Sequence, residues 1–367
     1  MANENDDVVL EIGRTEAETK RYSGWTKMRI TRGILRLTGD FSVELSDFSP
    51  RESANFDCRP GDVVKVLIGS SLVITGYVNV FNPSISRGGH SIRINGRGRC
   101  QDLIDCSAEW PSGQISGSNA LQIAQKLTTV YAGLNVTSDG NDGPSIPLFS
   151  ICVGETPFDI IERIARYAGL LVYELPDGSL YLSRVGDTSM ASGVAQGLNV
   201  EAASFEWTDH DRYSLIGAYQ QTMMTAGDYG ANIGPVATAE DKTVIRNRKL
   251  YFQSEQIISG FELAKQRVAW EQSRRAGQSQ SLHVVVDGWR DADGKLWEPN
   301  SQLRVDIPVL KIPSGTMMLI AEVTYRRDEN GTHADLVLMP PSAFTPEPII
   351  LQNVAPDTVL GAGAPIN

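Results

Sequence analysis

The sequence predicts an α+β chain that is mainly β. Three observations predict it. Short runs of alternating apolar and polar residues, bounded by Gly, Pro, Asp and Asn, fill the first hundred or so residues. Between about residues 118 and 170 the apolar residues switch twice to helical spacing. After about residue 200 the alternating pattern returns. At 367 residues the chain exceeds what one ordinary core fills, so two to four domains are expected.

Residues 1–21 are polar and charged and read as an N-terminal arm, frayed at its start. The first β domain spans 22–107. Its strands are Trp25–Arg32, Phe41–Leu45, Val63–Ile68, Leu72–Val78 and Ser91–Gly96, with turns at Arg59–Asp62 and Gly69-Ser70. Residues 108–199 read as a helix–helix–hairpin α+β unit with a linker. Ser118-Asn119 caps a helix carrying Leu121, Ile123, Ala124, Leu127 and Val130, and Gly133 ends it. Thr156-Pro157 supplies an N-cap and a first-turn proline for a second helix, which Gly169 stops. Pro176-Asp177-Gly178 joins two apolar runs as a hairpin, and the small polar residues 187–199 read as a linker. A second, discontinuous β domain takes 200–222 and 279–342. Residues 223–278 form an insertion of a loop and a helix over roughly Glu262–Ala276. The tail, 343–367, is rich in Pro, Ala and Gly and is expected to be extended.

The stretch Ser281–Asp306 organises the second β domain. A β-branched run leads to Asp287-Gly288-Trp289, a polar turn ends at Gly294, Trp297 follows, and a second strand closes the segment. The expectation is a β-hairpin at a barrel edge, with Trp289 and Trp297 facing each other across the turn.

Composition narrows the function. The net charge is −11 and the pI about 5.0, which argues against a grip on nucleic acid. Mean hydropathy is −0.18, and no apolar run approaches the roughly 20 residues of a membrane span. The start, MANENDDVVLEIG, lacks a basic and an apolar signal-peptide region. Cys58, Cys100, Cys106 and Cys152 form no CxxC pair and read as reduced thiols, mostly in the core.

No chemistry-bearing pattern survives inspection. Asp291-Ala292-Asp293-Gly294 resembles part of a calcium loop, but Trp289 stands where another oxygen ligand is needed. Asp209-His210-Asp211 points alternately and reads as a solvated turn. Gly96-Arg97-Gly98 is followed by Gln101 where a dinucleotide fingerprint needs glycine. No nucleophile elbow or phosphate loop is present. The expectation is no catalytic residue, no cofactor and no metal. Trp25, Trp207 and Trp270 read as core or interface anchors.

With these residues laid out, the chain resembles the baseplate hub proteins of Mu-like contractile-tailed bacteriophages. The resemblance rests on Asp287-Gly288-Trp289, on Asp293-Gly294-x-Leu296-Trp297-x-Pro299-Asn300, and on Glu271-Gln272-x-Arg274-Arg275. It recurs at Gly24-Trp25-Thr26, Thr75-Gly76-Tyr77, Gly96-Arg97, Asp102–Cys106 and Asp211-Arg212, and covers about residues 22–345. It implies two tail-tube-like β-barrel domains plus smaller α/β domains, assembled as a ring-shaped homotrimer. It also implies a tail tube protein above, a central spike protein below, other baseplate partners, and DNA passing without specific binding. The virion baseplate is the implied location, after assembly in the host cytoplasm. Type VI secretion spikes have related hubs. Trp25, Arg97, Arg274, Arg275, Asp287, Trp289, Gly294 and Trp297 are the candidate structural and interface residues. Arg97 and Arg99, and Arg274 and Arg275, are expected to pair with carboxylates. Two alternatives remain, a hub with cell-wall hydrolase activity and a carbohydrate-binding adhesin. No segment is left over for the extra domain that lytic hubs carry.

Overall fold

The computed structural model describes residues 6–47, 57–87, 89–143, 145–220, 237–254 and 260–345. Seven strands open the chain: β1 (Val8–Gly13), β2 (Thr19–Tyr22), β3 (Lys27–Gly33), β4 (Asp40–Asp47), β5 (Val63–Ile68), β6 (Ser71–Ser86) and β7 (Gly89–Gly98). The residues expected to form an N-terminal arm therefore include two strands. Val8, Leu10 and Ile12 alternate inward on β1 and are buried, and β1 pairs antiparallel with β5. Alternation in VVLEIG carried that signal, masked by the acidic residues around it. Residues 1–5 lie outside the described residues.

The α+β unit has both helices and the hairpin expected of it, together with a further short helix and three strands that the sequence reading did not give. It holds α1 (Asp102–Asp105), β8 (Gln114–Ser118), α2 (Ala120–Thr128), β9 (Val136–Ser138), β10 (Ile146–Ser150), α3 (Pro157–Ala168), β11 (Leu171–Glu174) and β12 (Leu180–Ser183). Asn119 and Thr156 each close a reciprocal capping box, satisfying two backbone N–H groups that a helix start leaves open. Gly169 takes φ 73°, the left-handed turn that ends α3. Ile123, Leu127, Ile160, Ile161 and Ile164 from the two helices share one core with Leu180 and Leu182 of β12.

After this unit come β13 (Val194–Ala195) and β14 (Val200–Trp207), so the expected linker contributes a short strand, pairing parallel with a later one. Next are β15 (Leu215–Gln220), β16 (Ala237–Glu240), β17 (Lys249–Ser254) and α4 (Gly260–Gln278). Leu215–Gln220 was expected among the strands of the second β domain. It pairs instead with β16 and β17, under Ala264 and Val268 of α4. Periodicity identified the strand but carries no information about its partner. Part of the loop expected over 225–243 lies outside the described residues, and β16 takes its end.

The last strands are β18 (Gln280–Asp287), β19 (Gln302–Asp306), β20 (Thr316–Asp328) and β21 (Gly331–Met339). The hairpin expected over Ser281–Asp306 does not form as one pair of strands. β18 lies between β14 and β21, whereas β19 pairs with β13 and β20. Only the turn is hairpin-like: Arg290 bridges Leu296, and the Trp297 N–H donates to the Trp289 carbonyl at 3.1 Å. The tryptophans do face each other across it. The segment bridges sheet strands that are not neighbours.

One strand order occurs twice. In the first unit the path is β3–β4–β7–β6–β5, and in the second it is β14–β18–β21–β20–β19. Both long strands, β6 and β20, carry a bulge, at Asn79 and at Ala321. The units join edge to edge where β20 pairs antiparallel with β3, giving a 13-stranded sheet among the described residues. One apolar cluster runs through both, from Leu10, Phe41 and Ile94 to Trp289, Leu303 and Leu336.

Candidate assembly site

The seam between the β units and the seat of the α+β unit are where the chain holds its parts in one orientation. Across the seam the Thr31 and Thr324 hydroxyls lie 3.0 Å apart. The Arg36 guanidinium spans it, donating to Glu322 at 2.8 Å and to Asp40 at 2.5 Å, and Arg29 donates to Asp40 at 2.7 Å. These are partly exposed pairs worth little singly; Arg36 and Arg29 share the Asp40 carboxylate, and Arg36 links it to Glu322 across the seam.

The α+β unit is fixed by two adjacent residues of β11. Neighbours on a strand point to opposite faces. Glu174 points to the first β unit. It accepts from the Cys100 N–H at 2.8 Å, the Thr38 hydroxyl at 2.8 Å and the Gly39 N–H at 3.3 Å. Burial raises its pKa, and these donors pull it back. A Cβ on Gly98 would sit 1.8 Å from its Oε2, so glycine is required there. Tyr173 points to the second β unit, where its hydroxyl accepts from Asn300 Nδ2 at 3.2 Å. Asn300 also donates to the Arg184 carbonyl at 3.1 Å and accepts from the Gly186 N–H at 2.8 Å. Its φ of 63° is one asparagine tolerates better than most residues. Asn300 entered the sequence reading only as the last residue of the motif that carries the resemblance, and Glu174 was not singled out, because a lone glutamate in a hairpin gives no signal.

The tryptophan turn is the other node. Trp289 and Trp297 are buried. Trp289 Nε1 donates to the His333 carbonyl at 2.9 Å, its ring meets Tyr325 edge-on at 6.3 Å, and Arg327 stacks on it at 4.9 Å. The Tyr325 hydroxyl donates to the Trp297 carbonyl. Asp291 holds the turn by accepting from Asp293 N at 3.1 Å, Lys295 N at 2.9 Å and Ala191 N at 3.1 Å. Its oxygens serve the backbone, which is why the partial calcium pattern occurs here. Gly294 takes φ 79° to close the turn, and Asp287 is exposed. Arg290 and Arg327 both reach Asp6, at 2.9 Å to the carboxylate and 2.7 Å to the carbonyl, tying this turn to the start of the chain.

Trp25 is buried in the shared core. Arg97 pairs with Asp105, and Arg99 with Glu16 and the Gly133 carbonyl. Arg275 pairs with Glu271 at 2.6 Å, whereas Arg274 stacks on Trp270 at 5.1 Å. Cys58 and Cys100 are buried, with burial pushing the Cys58 thiol up to about 12, while Cys106 and Cys152 are exposed. Among the described residues no three His, Cys, Asp or Glu side chains are grouped to hold a metal, and no helix is long and apolar enough to cross a membrane. The geometry holds domains together.

Comparison with known proteins follows these units. Residues 8–98 match the family model "Mu phage baseplate assembly protein GpP-like, N-terminal". Residues 100–184 match "Baseplate hub protein gp44-like, second domain", and residues 261–347 match "Mu phage baseplate assembly protein GpP, fourth domain". The chain is 29% identical over 337 residues to baseplate hub protein gp44 of Escherichia phage Mu, covering 89% of this chain and 87% of that protein. It is 30% identical to the 43 kDa tail protein of prophage MuSo2 from Shewanella oneidensis. The alignment with that crystal structure covers 93% of this chain and 99% of the other, with a TM-score of 0.81. An E. coli type VI secretion component shares the fold at 10% identity, over 90% of this chain and 76% of that one, with a TM-score of 0.53.

Proposed function

The chain belongs to the family of Mu-like phage baseplate hub proteins, and from that premise we propose that three copies close into a ring at the centre of the baseplate. It is a structural tail protein, not an enzyme. In this reading each chain supplies two tube-like β domains, so the ring presents six. A six-fold tail tube then stacks on one side and a three-fold spike on the other. The observation that carries the reading is the strand order repeated in both β units, with the units set side by side by the β20–β3 pair. A twofold repeat inside one chain is what converts threefold into near-sixfold symmetry.

DNA leaves through the ring without being gripped. A net charge of −11 favours this, because a wall that neutralises phosphates gains counterion-release energy and slows passage. Sedimentation of the full-length protein, and imaging of assembled tails, tests the reading. The expected result is a trimer with a central hole wide enough for duplex DNA. A monomer in solution together with some other copy number in tails would overturn it.

A further inference from the structure

The repeated strand order does more than count domains, because it predicts which sheet edges meet between subunits. The β6–β7 and β20–β21 hairpins of the two units match residue for residue. In the first, Ser86 pairs with Gly89 at the turn and the bulge falls at Asn79; in the second, Asp328 pairs with Gly331 and the bulge falls at Ala321. Val80–Ser86 thus corresponds to Glu322–Asp328. The ladders of β4 with β7 and β18 with β21 place Phe41 opposite Gly96 and Leu282 opposite Leu338. Following them outward, Met28 and Ile30 of β3 correspond to Ala203 and Phe205 of β14. Met28 and Ile30 are buried, and Ala203 and Phe205 pack against the same core, so the facing agrees as well.

Inside the chain, β20 beyond its bulge pairs with β3, Tyr325 opposite Ile30 and Arg327 opposite Met28. The counterpart of that pair would join β6 to β14, and within one chain they do not pair. β6 beyond Val78 pairs with β7 and no second strand, and β14 is the end strand of the sheet path, among the described residues. The side chains on these two edges are the ones an isolated chain would not expose. Val80, Ile85 and Trp207 are 45%, 86% and 68% exposed. β6 beyond its bulge carries no charged side chain and β14 carries two, Glu201 and Glu206; long edges with large apolar side chains are templates for another strand.

We infer that residues 80–85 of one subunit pair antiparallel with β14 of the next copy, in the register of the internal seam. Phe81 then stands opposite Trp207, Pro83 opposite Phe205, and Ile85 opposite Ala203. Asn82 stands opposite Glu206, so no like charges meet, and Pro83 removes at most one ladder donor. The contact is head-to-tail, so repeated application closes a ring or grows a chain. The inference rests on the trimeric reading and adds the residues and register of its interface.

The test is a cysteine pair, Ile85→Cys with Ala203→Cys, in a full-length chain carrying Cys106→Ser and Cys152→Ser. Directly opposite strand residues lie within disulfide range. The expected result is covalent dimers and trimers under mild oxidation, absent from either single-cysteine chain. A trimer by sedimentation that forms no such cross-link overturns the inference and leaves the trimer standing. A chain monomeric by sedimentation and in tails overturns both. Trp207→Glu serves as the second variant, since this exposed side chain is not needed for the subunit to fold. It should keep the wild-type circular dichroism and raise the trimer dissociation concentration at least tenfold. An unchanged dissociation concentration counts against the interface.

Discussion

The two β units carry one strand order with different interiors. In the first, the buried interior is aliphatic apart from Phe41, Met28, Trp25 and Cys58, and Phe41 lies opposite Gly96. In the second, the matching positions are Leu282 and Leu338, and the bulk moves to Trp289, Trp297 and Tyr325. A ring facing a glycine and two leucines facing each other fill a similar space across one ladder. The strand order survives because pairing and alternation are kept, while individual volumes are traded. The outer edges differ too. The first unit gains β1 antiparallel on β5, whereas the second gains only the two-residue β13, parallel on β19. The second unit makes up for that short strand with its aromatic node.

If the node has that role, removing it should hurt most. Trp297→Ala empties a fully buried site and should cost roughly 3–5 kcal/mol, read as a lowered midpoint in chemical unfolding. Trp289→Ala should cost a similar amount, and it also strips a donor from the His333 carbonyl. Unfolding indistinguishable from wild type for both would mean that the second unit is held by its sheet alone.

The glycine–phenylalanine pair offers a sharper comparison. A Cβ at Gly96 would lie 2.5 Å from the Phe41 ring and 2.4 Å from the Tyr77 carbonyl oxygen. Gly96→Ala should therefore destabilise by about 1–3 kcal/mol through overpacking. Adding Phe41→Leu, the residue of the second unit, should recover the ring's share and leave the carbonyl's share. Full recovery would show that the two interiors are interchangeable at this pair.

The two joints of β11 differ in how they respond to pH. Glu174 is titratable and Asn300 is not. Burial raises the Glu174 carboxyl, so its folded pKa lies above its unfolded one. Its stabilising contribution is whole below the ordinary glutamate range and declines as pH rises through the raised value. Glu174→Gln places an amide where three donors converge and should cost about 1–3 kcal/mol. The margin of wild type over this variant should shrink as pH increases through the weakly acidic range. A margin that grows instead would reverse the assignment. Asn300→Ala should cost a similar amount with no such dependence.

Local features were legible in the sequence and long-range pairings were not. Asn119, Thr156, Pro157 and Gly169 marked helix ends because caps are made by residues a few positions apart. The strand of Leu215–Gln220 was visible by alternation, yet its partners are chosen by sheets whose strands come from other segments. Val8–Gly13 was hidden by acidic flanks, although its own alternation was complete. Glu174 escaped notice because three donors from Thr38, Gly39 and Cys100 meet only in the fold. Periodicity gave the two β units, and the resemblance carried what it did not, namely the hub family.

The smallest effect is expected at the arginines that follow β7. Arg97 is paired with Asp105 in a partly exposed bridge, so Arg97→Ala should change stability by less than about 1 kcal/mol. Arg99 is different, being buried against Glu16 and the Gly133 carbonyl, and removing it would leave that carboxylate with Lys65 alone, at 3.8 Å. With Arg97, Arg99 and Arg275 neutralised by carboxylates and Arg274 stacked on Trp270, few cations remain in these clusters for phosphates. An anisotropy titration with duplex DNA at about 0.15 M salt should show no saturable binding, and Arg97→Ala should not alter it. Micromolar affinity with a steep salt dependence, lost in Arg97→Ala or Arg274→Ala, would mean that these side chains leave their partners for DNA. The ring would then hold the genome before release and not merely let it pass.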